Sequence, residues 1–345
     1  MSRWVVVLAG GVGSRFWPLS TPDRPKQMLP LVGDRSLLEE SVRRLAPLVE
    51  PSRVLILTNA SLRKSVMKLL PDVPSDNVIA EPRAGGTAAA LAWGAQEIVR
   101  RDGPEAVMVS VHADWSVGNP AGFVATLREA ANVAAEHHSL VTVGVVPSRP
   151  DPGFGYIEPG AEVARGVRRV AKFVEKPDRE RAVQMIEKGA LWNSGIFVWR
   201  VGDFLDDVRA LTPEVAPALH AHADDIDAFF RGVTPISVDH GVLERSTRVV
   251  VMPGDFDWDD VGTWGALRRV RRPDHNGNAM IGAAHAVASN GNVVHAEGST
   301  RVVLYGVEDL VVVAKDGLVL VTTVEKSSDL KALIEALPAA VVAGS

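Results

Sequence analysis

The 345-residue chain carries 37 Lys and Arg against 42 Asp and Glu, a formal net charge of −5, with 46% apolar residues and no cysteine. The acidic balance argues against a surface that tracks nucleic-acid phosphates, and the lack of thiols excludes disulfides, thiolate metal sites and thiol redox chemistry. No apolar run approaches the ~20 residues of a membrane span, and Val5 to Leu8 runs straight into glycines rather than forming a leader, so no membrane association and a cytoplasmic location are expected. The length predicts one large domain and a smaller appendage.

Trp4-Val5-Val6-Val7-Leu8 reads as a buried strand, and Gly10, Gly11 and Gly13 follow it. That places the glycines where a loop leaves the carboxyl edge of a sheet, the ligand-binding edge of α/β proteins. Glycines let backbone N–H groups approach a ligand's oxygens, and Arg15 and Lys26 add cations, so the stretch describes either a polyphosphate cradle or an ordinary strand-to-helix turn with two solvated cations. A dinucleotide fingerprint would need glycine where Phe16 stands, and a Walker loop would need a Gly-Lys-Ser/Thr that is absent.

Gly10, Gly11, Gly13, Arg15, Pro18, Pro25 and Lys26 follow the pattern Gly-Gly-x-Gly-x-Arg-x-x-Pro with a later Pro-Lys. On these residues the chain resembles the sugar-1-phosphate nucleotidyltransferases. Trp17-Pro18-Leu19-Ser20 and Arg24-Pro25-Lys26-Gln27 resemble their mannose-1-phosphate guanylyltransferase branch. The resemblance implies that Leu8, Ala9, Gly10, Gly11, Gly13, Ser14, Arg15 and Lys26 bind nucleotide.

Ser36-Leu37-Leu38-Glu39 is a capping-box pattern that predicts a helix from Leu37 to about Leu45, and Val54–Thr58 reads as the next strand of a βαβ unit. Asn77–Ala80 is a third short strand, ending at Glu81-Pro82, and an alanine-rich helix is predicted from Thr87 to Arg101. A carboxylate at that strand end either accepts from guanine N1–H and N2–H₂ or begins a turn. The family pattern Glu-Pro-x-x-Arg/Lys-Asn-Thr-Ala is kept at Glu81, Pro82, Thr87 and Ala88, whereas Gly85-Gly86 departs from it. Glu81, Gly86 and Thr87 are carried over as nucleotide-binding positions.

Val107–Val111 delivers His112-Ala113-Asp114-Trp115 to the same edge, and a single Asp there suits Mg²⁺, which takes one or two carboxylates. A helix is predicted over 120–135 and a strand over Leu140–Val145. Gly153-Phe154-Gly155-Tyr156-Ile157 is either a glycine-flanked hairpin or, by resemblance, backbone that lies against the sugar at Gly155 and Tyr156. Strand Val170–Val174 ends in Glu175-Lys176-Pro177, where the resemblance gives Glu175 to sugar hydroxyls and Lys176 to the sugar phosphate. Asn193-Ser194-Gly195 matches an Asn-x-Gly sugar-binding element.

The stretch from Val201 to about Phe230 reads as helical. Ser237 to Glu244 resembles a family segment whose carboxylates are expected to fix a loop. In Asp257-Trp258-Asp259-Asp260-Val261-Gly262 the resemblance selects Asp260 as the metal partner of Asp114. The arginines from Arg268 to Arg272 are expected to spread round a helix end and meet its carbonyls.

From Asn276, glycines punctuate short β-branched runs, which predicts a small β-domain. Residues 1–272 are therefore read as the catalytic domain, 273–338 as the β-domain and 339–345 as a frayed tail. The resemblance implies an α/β fold, a Rossmann-like mixed sheet flanked by helices with a short left-handed β-helix appended, and one activity rather than two. It implies a homodimer with Mg²⁺ as cofactor and GTP and mannose 1-phosphate as substrates, in which Arg15, Lys26 and Lys176 are catalytic. Another sugar 1-phosphate or nucleotide, and a non-catalytic GDP-mannose-binding subunit, are the competing readings.

Overall fold

Valine and leucine runs buried on both faces build the first of two units into which the computed structural model, describing residues 1–11 and 14–343, divides. This unit comprises Met1–Gly10, Val42–His112 and Asn119–Asp257. Its described residues form a nine-stranded sheet in the order Val78–Glu81, Val54–Asn59, Arg3–Leu8, Val107–His112, Leu191–Arg200, Leu140–Val145, Val249–Gly254, Val167–Val174 and Tyr156–Ala164. The first four strands run parallel, so their carboxyl ends share one edge, and Leu191–Arg200 pairs antiparallel with both its neighbours. Val5, Val6 and Val7 are fully buried, as continuous apolar strands of a covered parallel sheet should be.

The helix Gly86–Asp102 buries Ala88, Ala89, Ala90, Leu91, Ala92 and Ala95 in the core, and at Gly94 it comes close to Val6 and Leu57, whose methyl groups a Cβ there would meet at 3.5 to 3.6 Å. The 201–230 stretch is not one helix. Val201–Leu211, Ala216–Ala221 and Ile226–Gly232 are separate, because Pro213 cannot continue the first and the Asp225 carboxylate caps the start of the third.

The second unit comprises Gly11–Ser41, Ala113–Gly118 and the chain from Trp258 onward. The capping box forms as expected: Glu39 Oε2 accepts from Ser36 N–H at 2.9 Å, and Ser36 Oγ accepts from Glu39 N–H at 3.2 Å. Strands Ala279–Ile281, Val293–Ala296 and Leu310–Lys315 stack in parallel and Leu318–Thr323 closes that sheet antiparallel, while Ala284–Val287 pairs in parallel with Val302–Tyr305. Parallel ladders between successive turns of one chain make a β-helix-like coil. Its corners carry a buried asparagine ladder, in which Asn292 Nδ2 donates to Asn278 Oδ1 at 2.9 Å and Asn292 Oδ1 accepts from Leu310 N–H at 2.9 Å.

Within the stretch read as a tail, Ala339–Ala343 forms a short helix after Leu330–Ala336. One expectation fails here. The arginine run does not serve helix-end carbonyls, since Leu267–Val270 is one turn long: Arg268 pairs with Asp309, Arg269 with Asp259, and Arg271 is buried. No helix among the described residues is long and apolar enough to cross a membrane.

Asn292→Ala takes the side-chain acceptor from the Leu310 N–H, while Asn278 Oδ1 keeps the backbone N–H of residue 292, and the expected cost is about 2 kcal/mol in urea-induced unfolding. An unchanged midpoint would mean that the ladder contributes nothing.

Candidate functional site

In the first unit Leu8, Ala9, Gly10 and Glu81, predicted to bind nucleotide, stand at the parallel strand ends. Leu8 closes its strand between Leu57 and His112, and Ala9 donates to Leu57 O at 2.8 Å and accepts from Thr58 Oγ1 at 3.1 Å. Glu81 ends its strand beside Asn59, and a methyl group built on Gly10 would lie 3.7 Å from Glu81 Oε1. Gly10 therefore brings bare backbone next to the carboxylate. Burial pushes the Glu81 carboxyl up to about 7.

The Gly85-Gly86 departure has a packing cause. Gly86 sits at φ 78°, and a Cβ there would fall 2.2 Å from Ile236 O; one at Gly85 would meet the Phe230 ring at 2.9 Å. Thr87 Oγ1 accepts from Val238 N–H at 2.9 Å, so this threonine also fastens the 236–238 segment.

That segment walls a cavity of about 500 Å³ whose lining includes Gly155, Glu175, Asn193, Ile236, Asp239 and His240. Gly155 leaves no room for a side chain: its Cβ would stand 2.8 Å from Glu175 Oε2. The strand ends at Val174, Lys176 turns at φ 42°, and Lys176 Nζ pairs with Glu175 Oε1 at 2.8 Å, both side chains being largely exposed. Asn193 Nδ2 donates to Asp239 Oδ1 at 2.8 Å, and burial raises the Asp239 carboxyl above the usual range. Asp239 and His240 are therefore part of this wall and not merely a loop brace, which the sequence reading missed.

Two predicted sugar-side residues turn their polar groups elsewhere. Ser194 Oγ donates to Val143 O at 2.5 Å and accepts from Ile196 N–H, closing the bulge beside Gly144. The Tyr156 hydroxyl, fully buried, bridges the N–H and carbonyl of Asp151, leaving its backbone to the cavity. Gly195 lies at φ 71° and donates to Asn193 Oδ1 at 3.3 Å, holding the amide in place.

In the second unit, Lys26 is 7% exposed, and its ammonium donates to Asp114 Oδ2 at 3.0 Å and to the Asp260 carbonyl at 2.6 Å. Gln27 Nε2 donates to Gly11 O at 2.8 Å, bracing the glycine loop from inside the same signature. Arg15 is exposed in the short helix Ser14–Phe16; Gly13 lies outside the described residues, and so does the Ser14 side chain. Asp260 follows a two-residue antiparallel ladder of Ser116–Val117 with Trp258–Asp259, which joins the two acidic segments. Asp259 is not a free ligand: Arg269 grips both its oxygens, and it accepts from Val261 N–H at 2.9 Å. Val261 itself is held at φ 48°, a costly conformation for a β-branched residue that the surrounding bonds impose.

The donor chemistry fits Mg²⁺. Asp260 is pushed up chiefly by burial, and the Asp114 charge adds to that push, so the two carboxylates feel one another. Asp114 is 38% exposed, leaving a ligand access to it. Two hard carboxylates with room for water and phosphate oxygens is the usual Mg²⁺ arrangement; no third His, Cys, Asp or Glu joins a metal-binding group among the described residues.

Backbone bared by glycine at the carboxyl edge of a parallel sheet is the mark of a nucleotide-processing α/β protein. Residues 4–277 match the nucleotidyl transferase family, and the chain belongs to it. It is 36% identical to a mannose-1-phosphate guanylyltransferase of Escherichia coli and to one of Klebsiella pneumoniae, over 96% of this chain and 73% of each relative. A crystal structure described as a mannose-1-phosphate geranyltransferase from Thermus thermophilus superposes with a TM-score of 0.89 at 33% identity, covering 97% of this chain and 99% of that one.

The Glu81 shift makes a prediction with a definite sign. The folded protein binds this proton more tightly than the unfolded chain, whose carboxyl titrates near 4.5, so stability falls as pH rises from 4.5 through about 7. Glu81→Gln abolishes that fall and, after screening of a partly exposed group, gains on the order of 2 kcal/mol at pH 8 with little change at pH 4. Parallel stability profiles for the two proteins would contradict the shift.

Proposed function

We propose that the protein transfers GMP from GTP to mannose 1-phosphate, giving GDP-mannose and pyrophosphate. The observation that carries the reading is the buried Lys26 ammonium seated on Asp114 and the Asp260 carbonyl, a charge arrangement suited to a nucleoside triphosphate. The guanosine and mannose assignments lean on the identity with the named guanylyltransferases.

A phosphate oxygen of mannose 1-phosphate attacks the α-phosphorus of GTP, a new P–O bond forms, and the bond to the β-phosphate oxygen breaks to release pyrophosphate. A phosphate monoester dianion is already nucleophilic, so no side chain need take its place; positioning and charge neutralisation supply the catalysis. Arg15 and Lys26 neutralise the triphosphate and the departing pyrophosphate. Lys176 holds the sugar phosphate, while Glu175, Asn193 and Asp239 address sugar hydroxyls. Ionised Glu81 accepts from guanine N1–H and N2–H₂, with Gly10, Gly11 and Thr87 nearby in sequence or space to the base and phosphates. Mg²⁺ on Asp114 and Asp260 would supply Lewis-acid charge neutralisation at the reacting phosphates. We assign residues 1–272 to catalysis and 273–338 to an appended β-domain through which two copies associate, in the cytoplasm.

Pyrophosphate release should require GTP, mannose 1-phosphate and Mg²⁺ together, with ATP, UTP, dTTP or glucose 1-phosphate each failing as a replacement. Release with a different pair would discard the substrates, and binding of GDP-mannose without any turnover would discard the enzyme. Asp114→Ala should lower turnover at least a hundredfold in a folded protein, and Glu81→Gln should erode the preference for GTP over ATP by about tenfold or more. Near-normal values would remove either residue from its role.

A further inference from the structure

Arg24 precedes the Pro25-Lys26 pair, and its side chain leaves the signature loop for the C-terminal coil. Its Nη1 donates to both oxygens of Glu297, at 3.3 and 3.4 Å. A surface ion pair of this kind adds little stability by itself. What distinguishes this one is its anchorage.

His295, two residues earlier, is 2% exposed and places Nε2 3.8 Å from Glu297 Oε1. Its Nδ1 accepts from Arg271 Nη2 at 2.9 Å, which leaves the proton on the nitrogen facing Glu297. Arg271 is 4% exposed and is held by carbonyls from three stretches of chain: Leu31 at 2.6 Å, Val294 at 3.0 Å and Ala279 at 3.4 Å. Burial pulls this guanidinium down to about 9. The His295 ring also packs edge-on against Trp264, whose Nε1 donates to Trp17 O at 3.2 Å. One row of side chains thus joins both flanks of the lysine, Trp17 to Leu31, to the coil.

We infer that Glu297, backed by His295 and Arg271, is a positioning residue: it holds Arg24, and through Arg24 the backbone of Pro25 and Lys26, so that the Lys26 ammonium stays at Asp114. The coil then has a part in the reaction and is more than an appendage. Lys26 emerges from a short helical turn in which Met28 N–H donates to Pro25 O and Leu29 N–H to Lys26 O, so a shift at Arg24 moves the lysine with it. A displacement on the order of 1 Å is enough to cost about a hundredfold in rate. The kinetic consequence rests on the proposed guanylyl transfer, whereas the tether itself does not.

The test uses the full chain carrying Glu297→Gln, Arg24→Gln or both. Arg24 is 41% exposed at its side chain, so its replacement leaves the core intact if Glu297→Gln should fold poorly. Amide exchange at Arg24, Met28 and Leu29 reads the tether without substrate, and each single variant is expected to speed it at least tenfold. Turnover should fall about ten- to a hundredfold, with KM for the sugar phosphate within twofold of wild type, the melting temperature retained, and the double variant no slower than the worse single one. Unchanged exchange overturns the tether. Faster exchange with kcat within twofold, or with additive losses in the double variant, overturns the positioning role. If the wild-type chain turns over no sugar phosphate, the proposed reaction falls and the exchange result alone decides the tether.

Discussion

An ammonium buried to 7% exposure must find acceptors or lose its charge, and the second unit is built to supply them to Lys26. One acceptor is the Asp114 carboxylate and the other the carbonyl of Asp260, which come from distant parts of the chain. Bringing them to one lysine requires the short ladder of Ser116–Val117 with Trp258–Asp259, the Arg269 grip on Asp259 and the strained turn at Val261. The result is an electrostatic cluster fixed by the fold itself. In the proposed transfer such preorganisation costs no rearrangement at the moment of reaction.

The first unit follows a different constraint, the close approach of backbone. Gly10 places bare peptide beside a Glu81 carboxyl that burial raises to about 7. At Gly155 and Gly86 a side chain has no space, and Lys176 and Gly195 adopt positive φ. These conformations let Glu175, Lys176 and Asn193 depart from strict strand alternation at the strand ends.

Much of this was legible in the sequence because buried strands and capped helices announce themselves locally. Leu140–Val145 and Leu37–Leu45 have the bounds that periodicity and the capping box predict, and the glycine signature stands directly after its strand. Local signals failed where a side chain's partner is distant in sequence. Asp239 meets Asn193 across 46 residues, so nothing near Asp239 marks it as part of the cavity wall. Ser194 lies inside the segment whose sequence predicts sugar binding, yet its hydroxyl closes a bulge across the sheet. The arginine run looked like one helix-end feature and serves three unrelated partners. The asparagine ladder did have a signal: Asn276-Gly277-Asn278 recurs fourteen residues later as Asn290-Gly291-Asn292. The repeat sets corner against corner in the coil.

The proposed transfer is one direct attack by the sugar phosphate on the α-phosphorus of GTP, without a covalent enzyme intermediate. GTP carrying a phosphorothioate of single configuration at its α-phosphorus, turned over with mannose 1-phosphate, tests it most directly through the configuration of the thio-GDP-mannose formed. A single in-line displacement gives inversion at that phosphorus. Retention, the outcome of two successive displacements through a guanylyl-enzyme, would contradict it.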